Sequence, residues 1–140
     1  AYGSVNEFGD IYISGSSETE DEQKLISQSA RAAQRKLQDY RKTFGSHRTP
    51  SEYDDRTVII VDDGIMSGST MLSAVVTVKE KGAKKVIVAS PVVTEAAKKM
   101  LTLASDEVVF LKTPENFYSV SQFYQSYPRV GDREVENFLR

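Results

Sequence analysis

Val58-Ile59-Ile60-Val61-Asp62-Asp63-Gly64-Ile65-Met66-Ser67-Gly68-Ser69-Thr70 is the stretch that decides the fold. With Thr57 before it, the run Val58 to Val61 is β-branched throughout, which predicts a strand buried on both faces of a parallel sheet. It ends in two adjacent carboxylates, Asp62 and Asp63. A glycine turn follows, and a Ser-Gly-Ser-Thr loop leads straight into helical periodicity. In an open α/β sheet, ligands bind beyond the carboxyl ends of the strands, so this turn is where a site is expected.

The pattern on the C-terminal side repeats strand and helix. Ser69 to Lys81 reads as a helix with Met71, Leu72, Val75 and Val78 inward, closed by Gly82. Lys85 to Ala89 is a second buried strand, expected to stop at Pro91. Thr94 caps a helix running to Leu103, and Glu107 to Leu111 is a third strand. An aromatic-rich tail follows, and Asp132 to Leu139 is expected to pack a short helix on Val135, Phe138 and Leu139. Strands alternating with helices predict an α/β fold, a mostly parallel sheet joined by right-handed crossover helices.

On the N-terminal side, Ser46 to Arg56 is a polar loop containing Thr49-Pro50 and the one histidine, His47, expected to be solvated. Ser16 to Phe44 is a long helix. Leu25, Ile26, Ala30, Ala33, Leu37, Tyr40 and Phe44 form one apolar stripe, and Gly45 is its C-cap. Ser17 or Thr19 can cap it, Glu18, Glu20, Asp21 and Glu22 crowd its positive end, and Arg41 and Lys42 sit at the other. Gly9 to Ser14 alternates as a strand, with Tyr2 to Val5 as its hairpin partner, turning through Asn6 to Gly9. The expected organisation is one domain. Residues 1–56 hold the hairpin, long helix and loop, 57–112 the βαβαβ core, and 113–140 the aromatic tail and terminal helix.

Composition narrows the chemistry. The chain has 140 residues, with 18 Lys+Arg against 20 Asp+Glu, a net charge of -2. That balance argues against a protein that coats nucleic acid or lies on a membrane, both of which need a clustered basic face. Without cysteine there is no disulfide, thiolate nucleophile or Cys-ligated zinc, and one histidine cannot build a multi-histidine metal site. No run approaches the ~18–20 apolar residues of a membrane span, and no signal peptide is visible, so the expected address is the cytoplasm. The chain opens on Ala1 within structured sequence, which raises the expectation of residues upstream.

The turn itself divides into two halves. A helix N-terminus leaves about four amide N–H groups unpaired and carries roughly half a positive charge, so Met66 to Thr70 favours a phosphate. Gly68 allows close backbone approach, and Ser67, Ser69 and Thr70 can add hydroxyl donors. Asp62 and Asp63 would repel phosphate and must take donors or cations. Vicinal sugar hydroxyls with Mg²⁺ nearby meet that need, so a ribose 5-phosphate fits both halves. A Walker A loop fails because no lysine follows Gly68, and G-x-G-x-x-G is absent. An aspartyl-phosphate chemistry at Asp62 or Asp63 stays open as a weaker alternative, since it does not expect a hydroxyl-rich helix start after the pair.

Val58 to Thr70 resembles the signature of the type I phosphoribosyltransferases: apolar residues, two acids, a short linker, then a hydroxyl-Gly-x-hydroxyl loop. The resemblance extends to a bacterial and archaeal branch of that family through Ala1 to Val5, the long helix, Pro91-Val92, Thr113-Pro114-Glu115, Phe123-Tyr124 and Asp132 to Val135. It implies that Asp62 and Asp63 hold the ribose 2′- and 3′-hydroxyls of 5-phosphoribosyl 1-diphosphate. Met66, Ser67, Gly68, Ser69 and Thr70 would cradle the 5′-phosphate, and Mg²⁺ would come with the ligand near the acids. The implied reaction displaces pyrophosphate from the sugar by a nitrogen base through an oxocarbenium-like transition state. A homodimer is also implied, since the family is often dimeric.

The sequence departs from the family pattern twice. Met66 stands where some purine-specific members carry a third acid, so no general base is assigned. The strand and loop on which the family binds pyrophosphate have no counterpart here. That leaves either a transferase whose N-terminal part lies upstream or a non-catalytic module sensing a nucleotide or phosphoribosyl diphosphate. In the tail, Phe117 or Tyr118 could stack on the base. Otherwise Phe117, Tyr118, Phe123, Tyr124 and Tyr127 simply pack over the sheet edge.

Overall fold

The computed structural model describes residues 3–6, 11–13, 19–44 and 53–138. Strand β1 (Gly3–Val5) pairs antiparallel with β2 (Ile11–Ile13) in the register Gly3↔Ile13 and Val5↔Ile11, the expected hairpin. Helix α1 (Glu20–Phe44) follows, then β3 (Thr57–Val61), α2 (Ser69–Glu80), β4 (Lys85–Val92), α3 (Glu95–Ala104) and β5 (Glu107–Lys112). A 3-10 turn, Val120–Phe123, and helix α4 (Asp132–Phe138) close the chain. Ser17, Gly45, His47, Thr49-Pro50 and Leu139 lie outside the described residues. None of the described helices is long and apolar enough to cross a membrane.

Strands β3, β4 and β5 form a parallel sheet in that order, paired Val61↔Ala89 and Val88↔Val108. Consecutive right-handed crossovers between neighbouring strands place both connecting helices on one face. Accordingly Val75 and Val78 of α2, Ala97 and Leu101 of α3, and Val86 and Val88 of β4 share one buried cluster with Ile65, Met71 and Val93. The other face corrects the expectation of a doubly buried β3. Ile59 is 59% exposed, Val61 72% and Leu111 87%, because among the described residues no helix covers that side. β3 is also an edge strand, with β4 on one side and no partner on the other among the described residues.

Pro91 does not stop β4 as expected. Pairing runs on through Ser90↔Phe110 and Val92↔Lys112. The proline lies beyond Val61↔Ala89, where pairing with β3 has ended, so its missing N–H interrupts little of the ladder. The cap of α1 falls on Thr19. Its Oγ1 accepts from the Glu22 N–H at 3.3 Å, and Glu22 Oε2 accepts from the Thr19 N–H at 3.3 Å. The apolar stripe of α1 is nevertheless shallow, with Ala30 buried and Leu25 and Tyr40 exposed. On α4, Phe138 is likewise exposed rather than packed. In both helices the sequence period shows which face is apolar, but not whether anything covers it.

Candidate functional site

The ladder holds the strand tip in place. The Asp62 N–H donates to the Ala89 carbonyl at 3.1 Å, one residue past the end of β3. Three residues on, Ile65 is buried and tied on both sides, its N–H to Val92 O at 2.9 Å and its carbonyl to the Thr94 N–H at 3.0 Å. Thr94 also donates its hydroxyl to the Met66 carbonyl at 2.6 Å while accepting from the Ala97 N–H at 3.1 Å, so one side chain caps α3 and pins the loop. Asp62 to Met66 is thus a short span fixed at both ends.

Gly68 is the N-cap of α2 with φ 74, in the left-handed region, and no side chain bonds back to cap the helix. A Cβ there would lie 2.6 Å from Met100 Cε and 3.1 Å from Ala97 Cβ, so the absence of a side chain lets the α2 start sit against α3. The first amides of α2 are left without a side-chain cap, at the positive end of the helix dipole. Ser67 Oγ and Ser69 Oγ are 3.1 Å apart beside them, and Met66, Ser67 and Thr70 are exposed. The structure therefore gathers Met66 to Thr70 into one hydroxyl-lined turn.

The two acids differ. Asp62 is half-buried and Asp63 exposed. Burial pushes the Asp62 carboxyl above its ordinary value and the neighbouring Asp63 charge adds to this, while a 3.0 Å hydrogen bond from the Asp63 N–H to Asp62 Oδ1 opposes it. Asp63 Oδ2 accepts from the Tyr127 hydroxyl, and that bond raises the Tyr127 pKa. Tyr124 donates its hydroxyl to the Asp63 carbonyl at 2.7 Å.

Sequence reasoning grouped Tyr124 and Tyr127 with the tail aromatics and gave them no place at the acids. The signal available was only the density of rings after residue 116. Phe117 packs edge-on against Phe123, centroids 4.9 Å apart, and Tyr118 is 81% exposed. A separate cavity of about 400 Å³ lies between Val5, Asn6 and Ile59–Val61 on one side and Ser73 and Thr77 on the other. It touches the loop only at Thr70 and has no charged lining, so the turn carries the chemistry.

This arrangement coincides with a known family. A sequence profile described as the phosphoribosyl transferase domain matches residues 5–127, and the chain belongs to that family. Two Mycobacterium tuberculosis proteins, one from each of two strains and both named "putative phosphoribosyl transferase", are 36% identical to it over 106 residues. That alignment covers 76% of this chain and 23% of each relative, so the chain spans about a quarter of their length. The crystal structure of TT1426 from Thermus thermophilus superposes with a TM-score of 0.77 at 29% identity, covering 99% of this chain and 66% of that one.

Proposed function

We propose that this chain binds 5-phosphoribosyl 1-diphosphate and serves transfer of its phosphoribosyl group to a nitrogen base. Asp62 and Asp63 accept the ribose 2′- and 3′-hydroxyls. Met66, Ser67, Gly68, Ser69 and Thr70 take the 5′-phosphate through amides and hydroxyls, and Phe117 or Tyr118 stacks on the base. The observation that carries this is the two acids and the uncapped start of α2 held in one short turn. Carboxylates prefer hydroxyl donors and bare amides prefer an anion, so the turn is matched to a diol at one end and a phosphate at the other.

In the transfer, the bond from C1 to the diphosphate oxygen breaks with its electron pair leaving on pyrophosphate. The base nitrogen supplies the pair for the new C1–N bond and releases its proton to solvent. The charge that develops on the sugar lies near two fixed carboxylates, a favourable electrostatic setting. The donor set suits a Mg²⁺ that arrives with the diphosphate. Among the described residues no group of three or more His, Asp or Glu side chains could hold a resident ion, and Mg²⁺ is commonly held by one or two carboxylates plus substrate phosphates. Such an ion would neutralise the leaving diphosphate.

One observation favours a second reading, a module that senses the ligand without transfer. Binding needs only what the turn supplies, two acids for the ribose hydroxyls and an uncapped helix start for its phosphate. Incubating the protein with 5-phosphoribosyl 1-diphosphate, Mg²⁺ and a panel of purines, pyrimidines and their precursors separates the two. Base-dependent pyrophosphate release supports transfer. Saturable binding with no release from any base supports sensing.

A further inference from the structure

The tail returns to the site at three points. Val120 covers Gly64 so closely that a Cβ there would lie 2.7 Å from both of its methyl groups. Tyr124 donates to the Asp63 carbonyl at 2.7 Å, and Tyr127 donates to Asp63 Oδ2. The two rings pack against each other with centroids 5.3 Å apart. The turn that presents them is itself fixed. Gln122 Oε1 accepts from the N–H groups of Tyr118 and Ser119 at 3.1 and 3.2 Å, and its Nε2 donates to the Asn116 carbonyl at 2.8 Å. Asp63 is exposed, and its side chain would otherwise sample several rotamers.

Each acid therefore spends one oxygen on the protein, Asp62 Oδ1 on the Asp63 N–H and Asp63 Oδ2 on the Tyr127 hydroxyl. The two carboxyls also interact side chain to side chain, so Asp62 and Asp63 form one paired acidic face. The geometry points to Tyr124 and Tyr127 as positioning residues, a pair of hydroxyl donors that fix Asp63 so that the acids together read a diol rather than a single hydroxyl. This deepens the ribose reading of the acid pair and rests on it. The tyrosines act on the sugar only through Asp63.

The test is calorimetric titration of the whole chain with ribose 5-phosphate, 2-deoxyribose 5-phosphate and inorganic phosphate. The proteins compared are the unsubstituted one, Tyr124→Phe/Tyr127→Phe, Asp63→Asn, and all three changes together. The Phe pair is expected to weaken ribose 5-phosphate by about tenfold, the scale of one hydrogen bond to a charged group. It should also shrink the preference over the 2-deoxy sugar and leave inorganic phosphate within twofold. In the Asp63→Asn background the Phe pair should change ribose 5-phosphate less than twofold, as expected when two changes act through one contact. Equal or tighter ribose 5-phosphate binding by the Phe pair would overturn the proposal and make the tail a competing lid. A parallel loss for inorganic phosphate would overturn it in favour of a merely structural role, as would an undiminished effect without Asp63. If Asp63→Asn alone leaves ribose 5-phosphate binding untouched, the ribose reading itself fails, and the positioning role with it.

Discussion

The side-chain amide of Asn6 donates a 2.9 Å hydrogen bond to the hydroxyl of Thr77, and both residues are buried. This contact joins segments 71 residues apart and docks the N-terminal hairpin on α2, the helix whose start forms half of the candidate site. Ser4 strengthens the same junction, its hydroxyl donating to the Ser69 carbonyl at 3.2 Å in the first turn of α2. The hairpin thus packs against α2, which also contacts α3.

Thr77→Val keeps the shape of the side chain and removes one acceptor of the Asn6 amide. A buried polar group that loses a partner costs about 1–3 kcal/mol. An unfolding free energy lowered by that amount, read from the urea midpoint and slope, is expected, and one equal to that of the unsubstituted chain would show that the Asn6–Thr77 bond adds nothing to stability.

Gly68→Ala forces a side chain into the left-handed region and toward Ala97 Cβ, 3.1 Å away, with Met100 Cε at 2.6 Å. The methionine end can swing aside, but Ala97 lies on a helix and cannot. The backbone conformation alone costs about 1–2 kcal/mol. Unfolding should shift by at least that much, and affinity for inorganic phosphate should fall as the first turn of α2 moves. Unchanged phosphate affinity would detach Gly68 from the binding turn.

Asp62 gives a pH test. Its folded pKa is raised, chiefly by burial, above the ordinary 3.8. Between those two values the native state holds more protons than the unfolded chain. Stability contributed by this group therefore falls as pH rises through that window, and the cost is fully present above it. Asp62→Asn keeps an oxygen for the Asp63 N–H and removes the buried charge. At neutral pH it is expected to melt at or above the temperature of the unsubstituted protein while binding ribose 5-phosphate less tightly. A lower melting temperature at neutral pH would mean that the charge stabilises the fold instead.

The strand–helix alternation from Thr57 to Leu111 was legible because buried strands and capped helices leave local marks: β-branched runs, Thr94 at a cap, Gly82 after a helix. The turn from Asp62 to Thr70 was legible for the same reason, as every residue of it lies within one short segment. The exposure of Ile59, Val61 and Leu111 was not, because a continuous apolar strand reads the same whether or not a second layer covers it. Pro91 misled because its effect depends on where the neighbouring strand ends. The contacts of Tyr124 and Tyr127 with Asp63 span 61 and 64 residues, and no local pattern encodes which ring hydroxyl reaches which acid.

The central claim is that the acid pair and the start of α2 grip a single sugar phosphate between them. Calorimetric titration with 5-phosphoribosyl 1-diphosphate and Mg²⁺, comparing the unsubstituted chain with Asp62→Asn/Asp63→Asn, tests it most directly. Saturable binding that weakens about a hundredfold or more in the double variant is predicted, from two hydrogen bonds to charged groups at about 1.5–3 kcal/mol each. Binding of equal strength in both proteins, or no binding to either, would contradict it.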